Sequence, residues 1–278
     1  MNAAKITRES KSNLALAFVA LGRERRNDIT VFYAFCRVID DIADSNEMEV
    51  DEKGHALANW RRWIREGEEG EPALAGDVRA LYGKYPIKPE MLDEIIDGVV
   101  MDLDTVRYAT FEDLRLYCYR VASAVGLVSI EIFGYRKPAC REYAIELGLA
   151  LQVTNIIRDV GKDLLTDRIY LPKEDLKRFH YSETQLRTRE YNDAFVRLME
   201  FEAARAEDFF LRAAAILPRE DRRSMVAAEI MASVYHALLA RMKADRFRVF
   251  DKEYRLSKIE KGGRVAGQLL RLCLNARR

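Results

Sequence analysis

Glycine and proline are scarce in this chain, 14 and 6 among 278 residues, and no Ser/Gly/Pro-rich stretch or internal repeat interrupts it. Flexible linkers join independent domains, so their lack predicts a single domain over 1–278. Histidine occurs only three times, and the four cysteines (Cys36, Cys118, Cys140, Cys273) form no C-x-x-C pair. That excludes a recognisable zinc site and a disulfide framework, and it fits a reducing, cytoplasmic setting. Charge of one sign is lacking too, because 46 Lys and Arg nearly cancel 45 Asp and Glu. A chain so balanced has no electrostatic footprint of a general nucleic-acid binder, and any anion must be gripped locally. No run of about 18 consecutive apolar residues occurs, so no spanning anchor is expected. The short apolar stretch Leu14 to Leu21 runs straight into Arg23, Glu24, Arg25 and Arg26, which is not the pattern of a signal peptide.

What is abundant is Ala, Leu, Glu, Arg and Met, with few alternating β-branched segments, and this predicts an all-α fold. Helices are expected over 11–22, 27–44, 52–66, 72–83, 89–101, 111–133, 137–163, 173–178, 190–217 and 219–245, with breaks at Pro172, Pro218 and Gly262-Gly263. Two of these helices are apolar nearly all round, one through Val31, Phe32, Phe35, Val38, Ile39 and Ile42, the other through Leu147, Leu149, Leu151, Val153, Ile156 and Ile157. Helices of that kind belong in the middle of a bundle.

Both nevertheless carry acidic residues at their C-terminal ends, where the helix dipole disfavours negative charge. In Cys36-Arg37-Val38-Ile39-Asp40-Asp41-Ile42-Ala43-Asp44, the side chains of Asp40 and Asp44 share a face about 6 Å apart, and Asp41 points about 100° away. In Gln152 to Asp163, the residues Asn155, Asp159 and Asp163 form a stripe about 12 Å long. Oxygen ligands without imidazole or thiolate suit Mg²⁺, whose coordination is normally completed by water and substrate phosphate oxygens. Arg37, Arg158 and Arg168 stand beside these ladders and can clasp phosphate oxygens. The plainer reading of each arginine is a structural ion pair with its neighbouring aspartate, and a second ladder of the same design weakens it.

Four segments in order, Phe32-Tyr33-Ala34-Phe35-Cys36-Arg37 leading into Asp40 and Asp44, then Tyr117-Cys118-Tyr119-Arg120-Val121-Ala122-Ser123-Ala124-Val125-Gly126, then Gln152 to Asp163, then Arg168-Ile169-Tyr170-Leu171-Pro172, resemble the successive motifs of the squalene/phytoene synthase family. The early stretch Ser10-Lys11-Ser12-Asn13-Leu14-Ala15 departs from the Ser-Phe pair usual there.

The resemblance implies an isoprenoid synthase-type helical bundle with a deep central cavity. Within it the chain is expected to condense two prenyl diphosphates head to head through a cyclopropyl intermediate. Farnesyl diphosphate giving a C30 product is the favoured substrate, geranylgeranyl diphosphate the alternative. Carried over by position, Asp40, Asp44, Asn155, Asp159 and Asp163 hold two or three Mg²⁺ ions together with the substrate. Arg37, Gln152, Arg158, Arg168, Tyr235 and Arg248 contact substrate, and Tyr117 belongs to the reaction centre with Arg37 and Arg158.

NADPH use stays open, since no G-x-G-x-x-G follows a strand. A monomer or weak dimer is expected. The closing segment from Arg255, with Lys258, Lys261, Arg264 and Arg271 among Leu269, Leu270, Leu272 and Leu274, reads either as a peripheral contact with an anionic membrane or as an ordinary amphipathic helix. Three competitors are weighed against this reading. A head-to-tail prenyl synthase or cyclase lacks the R-I-Y-L-P and Y-C-x-x-V-A segments. A di-iron bundle needs two E-x-x-H motifs where only Glu52 and His55 supply one. A non-catalytic scaffold has no use for polar ladders on apolar helices.

Overall fold

The computed structural model describes residues 17–104 and 107–275, with side chains to residue 272, and among these no strand is present. The departing stretch from Ser10 to Ala15, most of the helix expected over 11–22, and the side chains of Cys273 and Leu274 lie outside the described residues. The elements used below are α1 (Arg23–Asp44), α2 (Val50–Trp63), α3 (Ala73–Tyr82), α4 (Pro89–Val100), α5 (Phe111–Cys118), α6 (Ala124–Phe133), α7 (Ala139–Asp163), α8 (Lys173–Arg178), α9 (Glu183–Arg187), α10 (Asp193–Ile216), α11 (Val226–Ala244) and α12 (Lys258–Asn275).

Local chemistry sets the ends. Glu49 and Glu52 cap α2 reciprocally, as do Thr110 and Asp113 for α5 and Ser182 and Gln185 for α9, each pair satisfying backbone N–H groups that the helix leaves orphaned. Pro89 opens α4, where its fixed φ fits and its missing N–H is not needed. Asn192 caps α10 by accepting from the Phe195 amide at 2.9 Å.

Helix α7 is the axis of the bundle. It packs against α5, α6, α10 and α11, while α1 closes the opposite side against α3, α4 and α6. As the apolar patterning predicts, Phe32, Phe35 and Ile39 of α1 and Val153, Ile156 and Ile157 of α7 are buried in one continuous core. Each buried side chain of this kind stabilises the fold by about 1.5–3 kcal/mol. Repulsion between carboxylates four apart on the same helices costs only a few tenths of a kcal/mol. Burial therefore wins, and the helices hold their acidic ends in place.

Three findings differ from the sequence expectations. The predicted helix 111–133 is two α-segments joined by a π-helical turn over Tyr119–Ser123. It is long and apolar enough to cross a membrane, yet 61% of its most apolar window is packed inside the protein. Gly262-Gly263 does not break the chain, since α12 runs through it and tethers Arg264 to Ser233 and Gln268 to the Glu229 carbonyl. Pro218 does mark a break, but only a short turn over Arg219–Asp221 follows before α11.

Close approach explains two glycines. A Cβ on Gly148 of α7 would lie 2.5 Å from the Ser123 Cα of the π-turn, and one on Gly161 would collide with the Val249 carbonyl. Directly after α7, Asp167 takes φ 59°, a left-handed conformation that aspartate tolerates better than most residues. The chain then turns back to pair Arg107 with Ile169, and Lys173 and Glu174 donate to the Tyr108 and Ala109 carbonyls. That turn brings Arg168 and Tyr170 to the mouth of the bundle.

Candidate active site

One cavity of about 310 Å³ is lined by Arg37, Asp40 and Asp44 of α1, by Gln152, Asn155, Arg158, Asp159 and Asp163 of α7, and by Tyr117 and Arg168. The two ladders thus face the same space, as the resemblance implied. Asp41 points away, paired with Arg37 in an exposed i,i+4 contact. Arg158 grips its neighbour Asp159, Nε donating to Oδ1 at 2.9 Å, and Arg168 reaches across the mouth to Asp44 at 2.9 Å. Structural ion pairing, the plain reading of the arginines, is therefore present for two of the ladder carboxylates.

It does not extend to the others. Asp40 and Asp163 have no ion pair among the described residues. Enclosure by protein, with neighbouring carboxylates adding to it, pushes each acid up to about 7 against the opposing charge of Arg37 on Asp40 and of Lys162 and Arg168 on Asp163. Asp40 is reached by water from the cavity although protein surrounds it. The Asn155 amide donates to Gln152 Oε1 at 3.3 Å, while its carbonyl oxygen is buried with no partner. An orphaned buried acceptor in the same cavity as two carboxyls without an ion pair fits a divalent cation. Among the described residues no three Asp, Glu, His or Cys side chains converge on one point. Any ion held here must draw further oxygens from a ligand or from water.

Asp102, which the sequence reading overlooked, also lines this cavity. It sits on a short turn over Met101–Leu103 at the end of α4. Tyr117 donates to its Oδ2 at 2.9 Å and Tyr170 to its Oδ1 at 2.8 Å. Burial raises the Asp102 carboxyl above its ordinary range, and the two phenol hydrogen bonds and Arg168 oppose the rise. The Tyr117 ring stacks on Tyr170 at 5.1 Å and lies 5.7 Å from Tyr108. A signal was there to be read: Ile95, Ile96, Val99 and Val100 form another apolar helix that ends in an acid.

Two expected residues lie elsewhere. Tyr235 lines an adjoining cavity of about 580 Å³ that shares Arg158 and Asp159 with the first. Arg248 lines neither, its guanidinium lying 4.6 Å above the Tyr191 ring. His236 packs edge-on against Phe210, Cys36 is a buried thiol, and Tyr33 packs against Phe18. The next residues on the same stretches, Ala122 and Leu151, line a separate apolar cavity of about 90 Å³ with Phe18, Gly126, Leu147 and Met231.

A profile of squalene/phytoene synthases matches residues 7–260. The chain belongs to the squalene/phytoene synthase family. Phytoene synthase of Mycobacterium tuberculosis is 33% identical over 267 residues, covering 95% of this chain and 88% of that one. Presqualene diphosphate synthase of Rhodopseudomonas palustris is 34% identical over 252 residues and 90% of each. Among solved structures, a dehydrosqualene synthase superimposes with TM-score 0.85 at 26% identity, over 97% of this chain and 95% of its own. A squalene synthase from Alicyclobacillus acidocaldarius gives 0.78 at 25%, over 88% and 93%. Like other squalene/phytoene synthases the chain is a prenyltransferase, and its chemistry is the head-to-head joining of prenyl diphosphates.

Proposed function

We propose that the chain condenses two farnesyl diphosphates into presqualene diphosphate and a C30 squalene-type product. The observation that carries this reading is the pair of acidic ladders lining one polar cavity, with a separate small apolar cavity lined in part by Ala122 and Leu151. Asp40, Asp44, Asn155, Asp159 and Asp163 would hold Mg²⁺, which when bound supplies neutralisation of the charge that builds on a leaving diphosphate.

The side chains themselves do the rest. Arg37, Arg158 and Arg168 present guanidinium donors to diphosphate oxygens, and these preorganised charges replace the water that would otherwise solvate the leaving group. Breaking the allylic C–O bond of the donor leaves a cation that the alkene of the second substrate attacks. Loss of a proton then closes the three-membered ring. The stacked faces of Tyr117, Tyr170 and Tyr108 offer π-density to positive charge formed nearby.

Similarity over 90% of a presqualene diphosphate synthase supports the C15 substrate. Similarity to phytoene synthases supports a second reading, in which two geranylgeranyl diphosphates give a C40 product. Purified protein incubated with Mg²⁺ and each diphosphate separately, with and without NADPH, decides by mass spectrometry. A C30 skeleton from farnesyl diphosphate is expected. A C40 product alone moves the assignment to the second reading, and a cyclised monomer in place of any joined product ends both.

A further inference from the structure

Asp102 is an acid inside a cavity that already holds too many acids. Asp40, Asp44 and Asp163 each interact unfavourably with it through space, and the hydrogen bonds from Tyr170 and Tyr117 and the charge of Arg168 offset part of this. It makes no ion pair among the described residues, and both its oxygens are spent on phenols, Tyr117 at 2.9 Å and Tyr170 at 2.8 Å. A carboxylate so placed is a poor metal ligand. It is well placed to orient a hydroxyl and to take its proton.

Tyr117 is itself buried, and burial together with the Asp102 charge pushes its phenol well above the ordinary value, so at neutral pH it is the proton donor of this pair. With its hydrogen committed to Asp102, its oxygen lone pairs remain for whatever occupies the cavity. Three separate segments, the turn after α4, α5 and the strip after α7, are needed to build this contact.

We propose that Asp102 is the positioning residue and proton acceptor behind Tyr117 in the ring-closing step. This rests on the reaction assigned above. After the alkene attacks, positive charge lies on the tertiary carbon of the acceptor, and the ring closes by losing a proton from C1 of the donor. The C–H electron pair becomes the new C–C bond and the proton goes to the Tyr117 oxygen. The phenol's own proton moves to Asp102 Oδ2, so Tyr117 ends neutral and Asp102 ends as a carboxylic acid that returns its proton to the released diphosphate. No phenolate, costly at this buried site, is ever required.

Asp102→Asn keeps an acceptor of similar shape and removes the charge that takes the proton, whereas Asp102→Glu keeps the charge. With the full chain, kcat for the asparagine variant is expected to fall about 100-fold or more, as for loss of a positioned general base. KM and the Mg²⁺ requirement should hold within about twofold, since neither is asked of Asp102. A primary isotope effect from substrate dideuterated at C1 should emerge or grow, and Asp102→Glu should recover part of kcat. Near-normal kcat, or a loss confined to KM or Mg²⁺ affinity, overturns the proposal. A readout independent of turnover is the ¹³C signal of Tyr117 Cζ, assigned with Tyr117→Phe. It should shift in Asp102→Asn, and an unmoved signal overturns the positioning role. Wild-type protein that joins no prenyl diphosphates sinks the reaction assignment and the proton transfer together, while the Tyr117 signal still judges the contact.

Discussion

Asp40 and Asp163 are enclosed by protein and make no ion pair among the described residues, and enclosure pushes each carboxyl up from near 4 to about 7. The sign of the consequence follows from linkage. A carboxyl whose folded pKa is raised gives the fold stability that is fully present below about 4 and lost as pH rises to about 7. Chelated, ligand-free protein is therefore expected to melt at progressively lower temperature from pH 5 to pH 8, and a melting temperature that climbs over that range contradicts the assignment. Metal binding runs the other way, because ligands must be deprotonated. More Mg²⁺ should be needed for half-maximal rate at pH 6 than at pH 8. Replacing Asp40 or Asp159 by Ala should cost roughly 3 kcal/mol or more in the barrier, about 100-fold in rate. Circular dichroism should show the helices intact, since the residues line a cavity and not the packed core.

At the scale of elements, the apolar helices α1 and α7 were legible in the sequence because burial on all sides leaves a pattern that solvent-facing helices lack. The two ladders were legible because polar residues at a helical repeat on such a surface stand out. Asp102 was not, since a lone acid on a short turn has no periodicity, and only the fold brings Tyr117 and Tyr170 to it. The position of Arg248 was not legible either: its backbone follows a turn with Arg246 and Phe247 at positive φ, and its guanidinium lies over the Tyr191 ring. Gly262-Gly263 misled because glycine only weakens a helix, by about 1 kcal/mol each, and docking on α11 outweighs that. Gly161→Ala, which forces a methyl group against the Val249 carbonyl, is expected to lower stability by about 1–3 kcal/mol in urea unfolding and to reduce turnover by displacing Asp159 and Asp163. An unchanged urea midpoint would show that the 249 segment yields freely.

The molecule as a whole holds arginines and carboxylates around one cavity in a balance that a charged ligand alters. Inorganic diphosphate with Mg²⁺, at about 100 times its Kd, should stabilise the fold by about 2.7 kcal/mol, or roughly 5 to 10 °C in Tm. Either component alone should do much less, and equal shifts from diphosphate with and without chelator would mean that the arginines alone bind it. On the outer surface, α12 presents Ile259, Leu269 and Leu270 to solvent among basic residues. Flotation with anionic vesicles tests whether that face meets lipid, and Leu270→Glu should reduce any recovery in the lipid fraction.

The π-helical turn at Tyr119–Ser123 holds one residue more than an α-helical path would use. Deleting one residue there would restore an uninterrupted cylinder with the flanking turns near their present register, whereas adding a second extra residue that no bulge absorbs would swing everything upstream by about 100° relative to the half buried against α7. Tyr117 would then rotate off the cavity wall. Length, and not only composition, is thus under constraint along these five positions, so that an insertion should be tolerated less than a single deletion or a substitution.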